Sequence, residues 1–542
     1  MSNTPHYDMF INGQWIEASE QYEVRSPATG NVTATVAFGE VRHADAAVAA
    51  AKAAHEEGTW RRMTPEQRGD VLDRMADSME AKASELARLA TGENGVTVRI
   101  ANAFHIGLGT ANLRFFANLA RAFQPEEPNP LVPETEDVRA VLRREPIGVC
   151  AGIVPFNFPL VLAGWKVGPA LAAGNTFVLK CDENTPLTLL ELAKSAEDAG
   201  LPPGVLNVIT GPGETVGAHL SSHPDVRKIA FTGSTAVGKL VHKAASDNLK
   251  RVTLELGGKG PNVILDDANL DMAIDGSLYA FLMFAGQVCE SGTRLLVPAE
   301  RHDEIVERLV SRAKDIRIGD PNDPASDMGP VASLDQLKRV TDYIEIGLRE
   351  GANLAYQGTV PGGPDFANGA WVAPTILTGV NNRMRIAREE VFGPVLVVIP
   401  YNTVEEAIEI ANDSDYGLAA GVWGSPERAL DVANQLEAGT VWVNDWHAGF
   451  PLNPFGGYKQ SGIGREVGPN ALAEYTQVKT VHQAKDNDWT KRGFGLVLPP
   501  PALLAERTCC SIDSSGPRPA LPPVVGQSGA PASSSFAARF AN

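Results

Sequence analysis

Ile147-Gly-Val-Cys-Ala-Gly-Ile-Val154 is followed by Thr176-Phe-Val-Leu-Lys180, Val205-Leu-Asn-Val-Ile209, Val226-Arg-Lys-Ile-Ala-Phe-Thr-Gly233 and Arg251-Val-Thr-Leu-Glu-Leu256. Each run is short and rich in β-branched and aliphatic residues. The intervening stretches, near 160–173, 186–199, 214–221 and 234–246, read as helices. One helix between each pair of strands is the pattern of right-handed βαβ crossovers, so this region is predicted to form a parallel, doubly wound sheet. Such sheets take ligands outside the carboxyl ends of their strands, which makes the residues at and just after these runs the first candidates for a site.

Working outward, a similar alternation restarts after Gly258. Asn262-Val-Ile-Leu265, a helix ending near Phe284, Thr293-Arg-Leu-Leu-Val297 and a long helix over about 302–315 predict a second α/β domain. On the amino side, residues 43–57 are alanine-rich and helical. A further helix opens at Thr64-Pro65-Glu66-Gln67, which combines an N-cap, a proline at the first helical position and a capping-box glutamine. The last fifty or so residues are rich in Pro, Ser, Ala and Gly without sustained periodicity and read as a tail or arm.

With 542 residues, 44% of them apolar, the chain exceeds one ordinary core and predicts at least two domains. The net charge of -18 argues against a nucleic-acid groove or an anionic membrane surface as partner and favours small-molecule chemistry. The charge is uneven: residues 491–542 carry a net +3, leaving -21 on the rest. Cys150, Cys181, Cys289, Cys509 and Cys510 show no CxxC spacing, so neither a disulfide framework nor a metal site is expected. A reducing cytosol fits. The first fifteen residues have no basic-then-apolar leader pattern, and no run of eighteen apolar residues occurs, so a soluble, cytoplasmic protein is expected.

Two glycine clusters follow predicted strands. Gly211-Pro-Gly213-Glu-Thr-Val-Gly217 is one residue too long for GxGxxG. Gly233-Ser-Thr-Ala-Val-Gly238-Lys239 matches a Walker A loop until Leu240, which replaces the hydroxyl that would hold magnesium. An ATPase or kinase is thereby discouraged. Both clusters still offer close backbone approach and free N–H groups to an anion, and both equally suit a plain strand-to-helix turn. Cys289 follows an apolar helical run within Gly286-Gln-Val-Cys-Glu-Ser-Gly-Thr-Arg294; by composition alone, a lone cysteine there is ordinarily a buried, inert thiol. Glu255 interrupts an apolar strand just before two glycines, where a carboxylate needs a partner or a task. Asn157 is wedged between aromatics and prolines in Val154-Pro-Phe-Asn-Phe-Pro159, a setting that also suits an Asx turn.

Taken in order, PFNFPL (155–160), the strand ending in Lys180, FTGSTAVG (231–238), LELGGKGPNVI (254–264), GQVCESGTR (286–294), EEVFGPV (389–395), NDSDYGLAAGVW (412–423) and NPFGGYKQSGIGRE (453–466) closely resemble the aldehyde dehydrogenase superfamily, over roughly residues 8–485. The resemblance implies an aldehyde dehydrogenase fold. Residues 1–127 and 148–257 would form a Rossmann-like NAD-binding domain, 258–457 a catalytic domain, 128–147 and 474–487 the oligomerisation strands of a homodimer or homotetramer, and 488–542 the tail. It implies Cys289 as nucleophile, Glu255 as general base, Asn157 as side-chain oxyanion donor and Lys166, in GWKVGPAL, as an aid to the Glu255 proton path, the alternative being a surface cation. A Lys-x-x-Glu pattern, here Lys180 and Glu183, would meet the adenosine ribose and favour NAD over NADP. Gly213, Phe231, Gly233 and Ser234 would border the dinucleotide, with Ser234 at the pyrophosphate. Glu390 and Phe392 would hold the nicotinamide ribose and ring. By position Leu113, Phe116, Phe284, Val288, Trp446 and Phe450 would line the aldehyde tunnel, unless several are simply core. That apolar set hints at aromatic or medium aliphatic aldehydes, although Asp445 and His447 in the same loop would alter the preference.

Three positions depart from the usual family pattern: Phe156 stands where a Trp is common, Ala236 where a Glu is, and Cys181 where a Pro is. None carries a catalytic role. A CoA-acylating relative generally lacks a glutamate at the position of Glu255, so hydrolysis to the acid is favoured. A catalytically silent structural relative is disfavoured by the joint presence of Cys289, Glu255 and Asn157. The tail would be a disordered appendage, a clamp along its own oligomer or a short docking peptide.

Overall fold

The computed structural model describes residues 4–130, 132 and 134–498. The five predicted strands are joined by three others in a sheet of order Gly462–Ile463, Arg251–Glu255, Lys228–Thr232, Val149–Ile153, Thr176–Lys180, Leu206–Ile209, Met9–Ile11, Gln14–Ile16. The five central strands are parallel, as expected. Both edges are antiparallel instead, closed on one side by Gly462–Ile463 and on the other by the Met9–Ile16 hairpin. The edge hairpin turns on Asn12 and Gly13, both with positive φ, the geometry that matches a two-residue turn to strand twist.

The strands Val149–Ile153, Thr176–Lys180, Leu206–Ile209 and Lys228–Thr232 are buried along their whole length, which is why they read as continuous apolar runs rather than alternating ones. Val149–Ile153 sits centrally. Later strands add first on one side of it and then on the other, so the order reverses between Val149–Ile153 and Lys228–Thr232. That reversal opens a crevice at the carboxyl edge, where Ile153, Lys180, Ile209, Thr232 and Glu255 end their strands.

The helix Pro159–Ala172 is buried at every residue, consistent with its nearly all-apolar sequence. Thr64 caps Pro65–Glu80 with the reciprocal Thr64–Gln67 bonds that the sequence predicts. The helix expected near 214–221 is divided: a π-helical turn, Gly213–Gly217, leads into Ala218–Ser222.

The second sheet runs Asn353–Gln357, Thr375–Thr378, Val395–Tyr401, Arg294–Pro298, Pro261–Ile264, Ala419–Trp423, Thr440–Val443. Only Asn353–Gln357 is antiparallel to its neighbour. A three-stranded sheet of Thr476–Ala484, Val138–Pro146 and Glu126–Pro128 occupies the segments expected to carry oligomerisation strands.

The chain divides into two compact units, 1–129 with 141–481, and 130–140 with 482–542. Both large sheets belong to the first. In the second, Lys485 reaches Glu134 and the Thr135 carbonyl at 2.7 Å, and Lys491 reaches Asp137 at 2.6 Å. Most of the tail assigned to 488–542, including Cys509 and Cys510, lies outside the described residues.

Candidate active site

Two glycines decide how closely the sheets' loops approach. A Cβ on Gly257 would lie 2.4 Å from a carboxylate oxygen of Glu390, and one on Gly258 would lie 2.4 Å from the Cys289 carbonyl. The Gly-Gly pair after Glu255 thus lets the Cys289 loop and Glu390 come against the end of the Arg251–Glu255 strand. Gly258 N–H donates to Glu390 at 3.0 Å. Burial pushes the Glu390 carboxyl up to about 7.

Cys289 is presented by a distorted turn. After the helix Leu270–Leu282, Phe284 and Ala285 both adopt left-handed backbone conformations, with φ of 47° and 50°. For non-glycine residues this stores strain of order 1–3 kcal/mol each, held only because the surroundings fix it. Gln287 supplies that fixation. Its side-chain oxygen accepts from Ala332 N–H at 2.9 Å, and its backbone carbonyl accepts from the Asn157 amide at 2.9 Å. Asn157 is therefore tied to the Cys289 loop by one amide hydrogen, while its side-chain oxygen has no hydrogen-bond partner among the described residues.

Cys289, Asn157 and Glu255 line one cavity of about 180 Å³, together with Phe156, Gly233, Ser234, Gln336, Arg339, Glu390 and Phe392. Phe156 meets Phe392 edge-on at 5.7 Å, so the aromatic wall expected at this position is present without an indole donor. Gln336 and Arg339 hold the Glu390–Phe392 loop through its backbone carbonyls: Gln336 donates to Phe392 at 2.5 Å, and Arg339 to Glu390 and Val391 at 2.5 and 3.2 Å. Sequence reasoning missed both residues, which lie on the otherwise ordinary amphipathic helix Leu334–Arg349.

Glu255 is buried with neither carboxylate oxygen hydrogen-bonded. Burial first, then the negative charge of Glu466, push its carboxyl well above the usual range, while Lys166 and Arg465 pull the other way. Lys166 is not a surface cation. It is fully buried and donates to both oxygens of Glu466 at 2.8 Å and to Thr232 Oγ1 at 2.6 Å. Glu466 stood in the quoted GIGRE motif without an assigned task; no local signal shows that it meets a lysine 300 residues earlier.

At the far end of the carboxyl edge, Lys180 Nζ lies 2.9 Å from Glu183, whose other oxygen accepts from Gly213 N–H at 2.7 Å. These three expected cofactor residues are thus in direct contact. Ser234 caps the helix Thr235–Ser246 and accepts from Val237 N–H at 3.3 Å. Phe231 is buried, with its ring over Gly233: a Cβ there would meet it at 2.6 Å.

None of the six expected tunnel residues is among those lining this cavity. Leu113 and Phe116 are buried in the first core, and Val288 is buried with them. Phe284 packs edge-on against Phe158 and His105, Phe450 stacks on Trp165 at 5.6 Å, and Trp446 packs over Gly292 and Gly421.

The Cys289 thiol donates to the carboxylate of the next residue, Glu290, at 3.1 Å, and the other oxygen of Glu290 receives His447 Nδ1–H at 3.0 Å.

Asp45, His219 and His223 form a cluster whose donor atoms would suit a cation. However, His223 Nδ1 accepts from Asp225 N–H at 3.1 Å, which places the proton of a neutral ring on Nε2, the atom facing Asp45. The hydrogen bond to Asp45 comes instead from His219 Nε2, at 2.6 Å.

The family model described as the aldehyde dehydrogenase family matches residues 15–481. The chain belongs to the aldehyde dehydrogenase family. This aldehyde dehydrogenase is 43% identical over 479 residues to the betaine aldehyde dehydrogenase of Bacillus subtilis (strain 168), covering 88% of this chain and 97% of that one. It is also 43% identical over 478 residues to the mitochondrial aldehyde dehydrogenase of Homo sapiens, covering 87% and 91%. Among solved structures, betaine aldehyde dehydrogenase of Staphylococcus aureus in complex with NAD+ superposes with a TM-score of 0.86 at 38% identity, covering 89% of this chain and 96% of that one. An NAD+ complex of an aldehyde dehydrogenase from Bacillus cereus gives a TM-score of 0.85 at 42% identity, covering 89% and 97%.

Proposed function

We propose that this aldehyde dehydrogenase oxidises an aldehyde to a carboxylic acid through a thioester on Cys289, with NAD preferred over NADP. The observation that carries the reading is the convergence of Cys289, Asn157 and Glu255 on one cavity that also holds Ser234, Glu390 and Phe392. We assign 1–127 with 148–257 to dinucleotide binding and 258–457 to catalysis, in a homodimer or homotetramer working in the cytoplasm. Among the described residues no helix is long and apolar enough to cross a membrane.

The residues at the carboxyl edge fit a dinucleotide. Lys180 and Glu183 offer a cation and an acceptor for ribose hydroxyls, and Glu183 would repel a 2′-phosphate. Ser234, with the N–H groups opening the helix Thr235–Ser246, suits a phosphate, and Glu390 and Phe392 border the cavity beside Cys289. NAD, when bound, accepts the hydride. The work of the chain lies around that event. Sulfur attacks the carbonyl carbon, and the Asn157 amide, already oriented by Gln287, donates to the developing oxyanion. Glu255 then takes a proton from the water that hydrolyses the thioester. Because burial raises its carboxyl, this base ionises only above the usual carboxylate range, so hydrolysis accelerates as pH rises through its pKa.

Phe156 and Phe392, the aromatic residues that line the cavity with Cys289, suit aromatic or medium aliphatic aldehydes. The betaine aldehyde dehydrogenases among the relatives make betaine aldehyde a necessary comparison.

The test is a stopped-flow record of NADH formation with benzaldehyde, hexanal and betaine aldehyde. Wild type turns over; Glu255→Gln gives one NADH per site and then stalls by a factor of about 10² or more; Cys289→Ala gives none. Turnover by Cys289→Ala at the wild-type rate would sink the reading.

A further inference from the structure

Glu290 lies beside the sulfur with no role in the chemistry above. Its Oε2 accepts the Cys289 S–H at 3.1 Å, and its Oε1 accepts His447 Nδ1–H at 3.0 Å. Its backbone carbonyl accepts the Trp446 indole N–H at 3.2 Å. Glu290 and His447 are both buried, and the second ring nitrogen of His447 has no hydrogen-bond partner among the described residues. His447 is held in a left-handed backbone conformation, φ 56°, with Tyr279 edge-on to its ring at 5.1 Å. This is an over-determined, partly strained arrangement around a single carboxylate, the kind of cost that persists where geometry is needed.

Burial first, then the negative charges of Glu290, Glu255 and Glu390, push the thiol up, while Arg339 also borders the cavity. Glu290 and Asp445 both act on the Tyr279 hydroxyl, and His447 bonds Glu290. Among the described residues the hydrogen-bond partner of the thiol is a carboxylate, not the histidine or lysine that activates other reactive thiols. The nucleophile must be generated as it reacts. Glu255, across the same cavity, makes no hydrogen bond to the sulfur among the described residues.

We propose that Glu290, held in place by His447, is the base that takes the Cys289 thiol proton when sulfur attacks the aldehyde, leaving Glu255 to hydrolysis alone. The proposal rests on Cys289 being the nucleophile. In the step, the S–H bond breaks and its proton passes to Glu290 Oε2. The sulfur pair forms the C–S bond, and the carbonyl π pair moves to the oxygen held by Asn157. Negative charge is relocated rather than created, which matters where water is scarce. When water later cleaves the thioester, the pair returns to sulfur and Glu290 gives the proton back. The proton is borrowed and returned within one cycle, and no further reactant is needed. Glu290 suits the task because burial, which raises its carboxyl, is outweighed by the hydrogen bond and charge of His447, leaving it ionised through the neutral range.

The test is the pH dependence of the first-turnover NADH burst, paired with iodoacetamide alkylation of Cys289 followed by mass spectrometry in the absence of cofactor. In wild type the burst is flat within about twofold from pH 6 to 8. In Glu290→Gln the thiolate must come from solvent, so the burst at pH 7 falls by about 10² and rises roughly tenfold per pH unit. With one carboxylate removed, the alkylation midpoint of that variant moves to lower pH. Glu290→Asp keeps a carboxylate and keeps the flat profile at a reduced rate. A Glu290→Gln burst with wild-type rate and a flat profile overturns the proposal, as does an aspartate variant with the glutamine variant's slope. A burst surviving in Cys289→Ala would instead overturn the nucleophile assignment.

Discussion

Replacing Lys166 by Met removes the cation from a pair that has no access to water. Lys166 is fully buried and Glu466 nearly so, with Nζ 2.8 Å from both carboxylate oxygens. At that distance and an effective dielectric of about 20, the attraction is about 6 kcal/mol, set against a desolvation cost of several kcal/mol for each ion. The net worth of the pair is therefore small, but removing one member strands the other. Lys166→Met and Glu466→Leu should each cost about 3–5 kcal/mol, whereas the double variant should cost much less than their sum, giving a coupling of at least about 3 kcal/mol. Urea unfolding of the four proteins measures this cycle. The catalytic readout has opposite signs for the two single variants. Glu466 raises the Glu255 carboxyl and Lys166 lowers it, so losing Lys166 moves the acid limb of thioester hydrolysis to higher pH and losing Glu466 moves it to lower pH. Two single variants that each cost less than about 1 kcal/mol and add simply, or that move the limb in the same direction, would refute the reasoning.

Two further outcomes follow from other buried or paired carboxylates. Glu93 is fully buried at the start of the helix Leu187–Asp198, accepting from Leu187 N–H, Thr188 N–H and the Thr188 hydroxyl, yet burial pushes its carboxyl up to about 7. A folded-state pKa above the unfolded value means stability that is complete below the unfolded carboxylate pKa and lost as pH rises through about 7. Denaturant titrations at pH 4 and pH 8 should show the advantage of wild type over Glu93→Gln narrowing by about 3 kcal/mol, and a constant or widening difference contradicts this. Glu183→Gln removes the charge that sits between Lys180 and Gly213 N–H, and should lower the NAD-to-NADP ratio of kcat/KM by about tenfold or more; an unchanged ratio would show that discrimination lies elsewhere.

What could be read from the sequence follows from the range over which each signal acts. Four of the five central strands were legible because burial on both faces makes each a largely continuous apolar run, and the Thr64 cap because its two partners lie three residues apart. The edge hairpin was overlooked although its signal was local: Asn12-Gly13 between Met9–Ile11 and Gln14–Ile16 is a strong two-residue turn signature. The members of the site were named through ordered motifs, but their groupings were not, because the contacts join distant segments. Lys166 meets Glu466, Asn157 meets the carbonyl of Gln287, and Glu290 meets His447. None of these pairs has a periodicity or spacing that a single sequence displays. Glu290 illustrates the gap most clearly, since it adjoins the cysteine on which the reading depends. As a residue type it looked like ordinary turn polarity. What distinguishes it is burial beside a thiol with His447 bonded to its other oxygen, a property conferred by a loop more than 150 residues away. The motif singles out the thiol, whereas the fold sets which carboxylate lies beside its proton.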